Sequence, residues 1–181
     1  MASKKPSPAK KSAARGFTLT RVFDAPRSLV FAAWTQPEHL KRWSAPQGFT
    51  IPVSKGDLRP GGQWRACMVS EQTGKLWLSG VYREIVPNKL LVFTHAWESE
   101  GGTRETETLV TVRFSDVGKK TKMVMEQTGF ESADSSQGHQ GGWTECLEKL
   151  AALLTGLQKA PGTEKKAIGL QPKPRAKAAA K

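Results

Sequence analysis

One stretch late in the sequence limits the folds open to this chain. From Trp143 onward, apolar residues recur at Leu147, Leu150, Ala151, Leu154 and Leu157, the spacing of an amphipathic helix with a single buried stripe. Such a helix, expected over residues 144–159, must lie on an apolar surface. Almost everything before it reads as short strands, so its partner is the inner face of an antiparallel sheet. Immediately before it stands Gly138-His139-Gln140-Gly141-Gly142. Three glycines where helix meets sheet either let the backbones approach closely or leave room for a ligand.

The strands are read from period-2 alternation. Residues 17–23 form the first, stopped by Asp24-Ala25-Pro26. Leu29, Val30, Ala33 and Trp34 then make a short helical stripe that Gln36-Pro37 breaks, and a second short helix is expected over 38–43. Residues 49–53 read as a strand despite Pro52, which calls for an edge position or a bulge. After the turn Asp57-Leu58-Arg59-Pro60-Gly61-Gly62, strands are expected over 63–70, 76–86, 90–97, 105–114 and 121–128, joined by short polar turns as an antiparallel meander. One face of these strands carries Trp64, Ala66 and Met68; Leu78, Gly80 and Tyr82; Leu91, Phe93, His95 and Trp97; and Met123, Met125 and Gln127. The fold class is therefore α+β: a curved antiparallel sheet of about six to seven strands around a long C-terminal helix, with two short helices after the first strand. A curved sheet gripping one helix does not fill all the space between them, so a cavity is expected.

The formal net charge of +12 resembles a nucleic-acid signal until it is divided along the chain. Residues 1–15 and 160–181 carry +5 each, leaving +2 for the domain expected over 16–159. Both flanks are built from Lys, Ala, Pro and Ser, cannot offset their ordering entropy by burial, and read as disordered basic tails. They suit either weak contact with a nucleic acid or other polyanion or simple solubilisation. No secretory h-region and no apolar run of membrane-spanning length is present, so the expected location is cytoplasmic. Cys67 and Cys146, isolated within apolar patterns, read as reduced buried thiols.

Six tryptophans against one tyrosine form the most unusual constellation. Trp34, Trp43, Trp64, Trp97 and Trp143 all fall in segments able to point inward, as does Met68. They read either as the wall of a ligand cavity or as plain core. His139 shares a helix face with Trp143, His95 a strand face with Trp97, and Gln127 a strand face with Met125, so these polar groups are placed to orient a ligand or carry a proton. The competing reading is satisfied structural histidines. His39, His95 and His139 are too widely separated in sequence for a metal-ligand pattern, and neither a nucleophile elbow nor a phosphate loop occurs. No metal or cofactor is expected.

The same element order, together with Ala25-Pro26, Ala33-Trp34-Thr35, Pro37-Glu38, Lys41-Arg42-Trp43, the Asp57-to-Gly62 turn, Gly80-Val81-Tyr82-Arg83-Glu84-Ile85, Leu91-Val92-Phe93-Thr94 and Gly142-Trp143, resembles the SRPBCC superfamily over residues 17–157. Within it the chain is most similar to the branch resembling activators of heat-shock-protein-90 ATPase, with the helix-grip fold of START and pollen-allergen proteins. The resemblance implies a hydrophobic pocket between sheet and long helix, which different members use for lipids, polyketides or aromatic metabolites. It does not carry chaperone activation with it, which in the true co-chaperones also depends on a separate N-terminal domain. Where many relatives have a second aromatic after the tryptophan ending the second helix, Ser44 stands here, which implies a wider or wetter pocket end. The expected function is binding of a small apolar or aromatic ligand in that cavity. The alternatives are a cyclase- or hydratase-like enzyme using His139 or His95, and a protein that contacts a chaperone or a nucleic acid.

Overall fold

The computed structural model describes residues 15–159. The flanking basic segments read from sequence lie outside these residues except for Arg15. Seven strands form one antiparallel sheet: β1 (Gly16–Phe23), β2 (Thr50–Gly56), β3 (Gln63–Ser70), β4 (Gly74–Val86), β5 (Leu90–Glu98), β6 (Thr108–Val117) and β7 (Lys120–Thr128), in the order β1-β7-β6-β5-β4-β3-β2. The meander runs from β2 to β7, and β1 closes on β7 from Gly16 opposite Thr128 to Phe23 opposite Thr121. Two short helices, α1 (Arg27–Thr35) and α2 (Pro37–Trp43), connect β1 to β2, and α3 (Ala133–Lys159) follows β7. Pro52 lies on the edge strand β2, where the register shifts between Thr50 and Val53. That position tolerates a residue with no N–H to give.

The long helix differs from the sequence expectation in two ways. It begins at Ala133, about ten residues early, so the glycines lie inside it rather than before it. Glycine counts against a helix by intrinsic propensity, but the Ser132 hydroxyl accepts the Ser135 N–H at 3.0 Å and caps the first turn. The buried stripe is also rotated. Cys146 and Leu153 join Leu147, Leu150 and Leu154 against the sheet, while Ala151 faces solvent and Leu157 is only partly buried.

The apolar interior falls into two clusters. The larger joins α1 and α3 to β1, β4, β5, β6 and β7, with Val30, Leu91, Val110, Val112, Met123, Met125, Leu147 and Leu150 at 1% exposure or less. The smaller holds Ala45, Ile51, Ala66, Met68 and Leu78 beneath β2, β3 and β4, and Trp64 packs against both. The helix explains the split. Its second half fills the trough with leucines, whereas its first half presents Ser135, Gly138, His139 and Gly142, which are too small or too polar to do so. Cys67 and Cys146 are buried free thiols, and burial pushes the Cys146 thiol up to about 12.

Candidate functional site

Between the two clusters lies a cavity of about 410 Å³, near the lower end of the range for small-molecule sites. The α3 wall is Ser135, Gly138, His139, Gly142, Trp143 and Cys146, an i, i+3, i+4, i+7, i+8, i+11 stripe. Opposite it, β3 gives Trp64, Ala66 and Met68, β4 gives Leu78 and Tyr82, and β5 gives Phe93, His95 and Trp97. Trp34, Leu40 and Trp43 line it from the short helices, Ile51 lies deep on β2, and the partly buried Ser44, Pro46 and Ser54 form the rim. None of the lining residues carries a formal charge.

Four of the five wall indoles, those of Trp43, Trp64, Trp97 and Trp143, are fixed by their N–H groups as well as by packing. Trp43 Nε1 donates to the Ala33 carbonyl at 2.9 Å and Trp64 Nε1 to the Thr94 carbonyl at 3.1 Å. Trp34 stacks on Trp143 with ring centroids 5.6 Å apart and meets Trp43 edge-on at 4.7 Å. Trp143 Nε1 donates to Gln127 Oε1 at 2.7 Å, Gln127 Nε2 donates to Thr108 Oγ1 at 2.8 Å, and Thr108 Oγ1 donates to the His95 carbonyl at 2.9 Å. This chain of bonds ties α3 to β7, β6 and β5 beneath the cavity floor.

Of the sequence-level candidates, Trp34, Trp43, Trp64, Met68, His95, Trp97, His139 and Trp143 line the cavity, and Gln127 does not. Alternation correctly put Gln127 on the inner face, but fully buried it stands one layer behind, holding Trp143. Tyr82, placed on the inner face but not singled out, is a wall residue, and burial raises its phenol to about 12, so it stays neutral. Ser44 lies on the rim with its hydroxyl turned back to the Leu40 carbonyl at 2.8 Å. The sixth tryptophan, Trp77, is absent from the wall and lies under the Arg65 guanidinium at 3.8 Å, while Arg65 pairs with Glu98 at 2.7 Å.

The two histidines differ. His139 Nδ1 lies 2.8 Å from the Ser135 carbonyl, which only accepts, so Nδ1 carries the proton. Its Nε2 then accepts the Trp97 N–H at 3.1 Å, and both ring nitrogens are engaged. His95 is held neutral: burial first, and then the neighbouring His139, lowers it to about 3. Among the described residues, His95 Nδ1 and Trp34 Nε1 are the buried side-chain polar atoms with no hydrogen-bond partner, each costing about 1–3 kcal/mol relative to a satisfied group. No cluster of metal-ligating side chains occurs among the described residues, and no helix there is long and apolar enough to cross a membrane.

The rim is strapped to α3. Lys149 Nζ donates to the Ala45 carbonyl at 2.7 Å, and the Gln47 N–H donates to Glu145 Oε2 at 2.8 Å. Of the two uses foreseen for the glycines, close backbone approach is not seen at any of the three, and open space is what they leave. A Cβ on Gly142 would meet Pro46 Cγ at 3.5 Å, an ordinary close contact, whereas one on Gly138 would meet nothing within 4 Å. Gly138→Leu is therefore expected to raise stability by about 0.5–1 kcal/mol through helix propensity while its side chain occupies the opening. Thermal melts and ligand titrations on the one variant should move in opposite directions.

Comparison with known proteins agrees with this architecture. The model of the family described as Activator of Hsp90 ATPase homolog 1-like protein matches residues 24–155. A protein from Chromobacterium violaceum is 27% identical with a TM-score of 0.71, over 77% of this chain and 96% of its own. The AHSA1 protein from Silicibacter pomeroyi is 26% identical with a TM-score of 0.71, over 78% and 98%. A protein from Arthrobacter aurescens is 25% identical with a TM-score of 0.70, over 79% and 87%. No curated protein matches the sequence significantly. With seven antiparallel strands closed over one long helix and a family match across most of the described residues, the chain belongs to the Activator of Hsp90 ATPase homolog 1-like family, a branch of the SRPBCC helix-grip proteins.

Proposed function

We propose that this protein binds a small apolar or aromatic molecule in the cavity between α3 and β3, β4 and β5. The observation that carries the reading is a cavity of about 410 Å³ whose wall includes five tryptophans and no formal charge. Burial of apolar surface there contributes about 25 cal/mol per Å², enough for a ligand of one or two rings to reach micromolar affinity without a charged contact. The indole hydrogen bonds hold much of the wall in shape before a ligand arrives, which lowers the ordering cost of binding. Acid–base catalysis draws less support. His139 has both ring nitrogens engaged and His95 is far too weak a base near neutral pH. Two buried free thiols fit a reducing, cytoplasmic setting.

Intrinsic fluorescence tests this reading, because five of the six tryptophans line the cavity and Trp77 does not. Titration with uncharged aliphatic and monocyclic aromatic molecules is expected to give a saturable change in emission, weakened about tenfold or more by Gly138→Leu. Absence of a saturable response to every member of the panel would count against the proposal, as would a response that Gly138→Leu leaves untouched.

A further inference from the structure

We infer that the cavity selects an uncharged aromatic molecule bearing one hydroxyl or carbonyl group, and that His95 is the residue that reads this group. The inference rests on the cavity being a ligand site and adds what the ligand must carry. Charge is excluded first: no side chain on the wall bears a formal charge, and an ion moved out of water into such a site with no counter-ion pays a large desolvation cost. An anionic or cationic ligand has nothing there to pair with.

A purely hydrocarbon ligand leaves a different problem. His95 lines the cavity from the middle of β5, is 6% exposed, and its Nδ1 has no hydrogen-bond partner among the described residues. Its surroundings are rings: Trp64 at 5.9 Å, Trp97 at 5.7 Å, His139 at 5.6 Å and Trp143 at 6.5 Å between centroids. The neighbouring polar atoms are already taken. Trp64 donates to Thr94, Trp97 to His139 and Trp143 to Gln127, while His139 uses its other nitrogen on Ser135. The wall thus satisfies these groups internally and leaves two polar groups unpartnered, the His95 ring and the Trp34 N–H, of which only the His95 ring has both a donor and an acceptor to offer. Burial keeps that ring neutral, so it offers one donor and one acceptor. A hydroxyl matches either and a carbonyl matches the donor, and the flat indole and phenyl surfaces around it favour an aromatic body. Filling an unsatisfied site in this way is worth on the order of tenfold in affinity over a ligand that leaves it unfilled.

Three probes of one shape separate the contributions: naphthalene, 2-naphthol and 2-naphthoate, titrated calorimetrically against the full chain and against His95→Leu and His95→Gln. In the wild-type chain 2-naphthol is expected to bind about tenfold tighter than naphthalene, and 2-naphthoate at least tenfold more weakly than 2-naphthol. In His95→Leu the ratio of naphthol to naphthalene affinity is expected to fall to within about twofold of unity. His95→Gln, which restores a donor and an acceptor, is expected to keep part of it. Equal affinities for naphthol and naphthalene in the wild-type chain, a preference that persists in His95→Leu, or tight binding of the carboxylate would each overturn the inference while leaving the cavity proposal standing. No binding by any of the three would overturn both. Equal affinities in the wild-type chain overturn the inference without any variant, and His95→Gln, which keeps a polar side chain of similar size, assigns a wild-type preference to His95 or to the Trp34 N–H if His95→Leu fails to fold.

Discussion

Gly80→Ala is expected to lower the unfolding free energy by about 3 kcal/mol, the upper end of what overpacking usually costs. A Cβ at this position would stand 1.7 Å from the Thr94 carbonyl oxygen, 2.7 Å from the Thr94 carbonyl carbon and 2.5 Å from Trp64 Nε1. The first two are backbone atoms of the adjacent strand and cannot swing away. The third belongs to the indole whose N–H is bonded to that same oxygen. One methyl group therefore separates β4 from β5 and unseats Trp64, a wall residue of the cavity. Urea melts should show a lower midpoint at an unchanged slope. Gly138→Ala, where the new Cβ meets nothing within 4 Å, serves as the paired control and should be neutral or slightly stabilising.

Gln127→Leu is expected to cost about 2–3 kcal/mol, or roughly 5–10 °C in Tm for a chain of this size. The glutamine is fully buried and bridges Trp143 Nε1 to Thr108 Oγ1. Leucine matches its bulk but strands the Trp143 N–H, and a buried donor without a partner costs more than the net worth of the bond it made. The test of mechanism is the cycle with Trp143→Phe. If the stranded donor is the main loss, the double variant will be less destabilised than the sum of the two single ones by about 1 kcal/mol or more. Strict additivity would show that the loss does not come from the stranded Trp143 N–H.

These two positions also show where the sequence speaks and where it is silent. Period-2 alternation reports which face of a strand a residue occupies. On that basis the inner faces were legible: Trp64, Ala66 and Met68 on β3, Leu78 and Tyr82 on β4, Phe93, His95 and Trp97 on β5 all reach the cavity. Alternation does not report depth. Gln127 shares an inner face with Met125, yet it stands behind the wall because Trp143, sixteen residues later, closes over it. The start of α3 was hidden for another reason. Gly138, Gly141 and Gly142 argue locally against a helix, and the turn that overrides them is held by a cap from Ser132. The rotation of the stripe from Ala151 to Leu153 followed from that error, since a helix ten residues longer is anchored to the sheet by different side chains. Of the two reasons offered for the glycines, room holds and close backbone approach does not: a Cβ on Gly142 would make an ordinary contact with Pro46 Cγ at 3.5 Å, and one on Gly138 or Gly141 would meet nothing within 4 Å.

Everything proposed for this protein requires the unfilled trough under the first half of α3 to be room for a guest molecule. A crystal structure of the chain with saturating 2-naphthol tests it most directly. Density is expected for one bicyclic ring system between α3 and β3, β4 and β5, in contact with Trp64 and Trp143, its oxygen within hydrogen-bond distance of the His95 ring. A structure in which the trough is closed by the protein's own side chains, with the naphthol bound elsewhere or not at all, would contradict it.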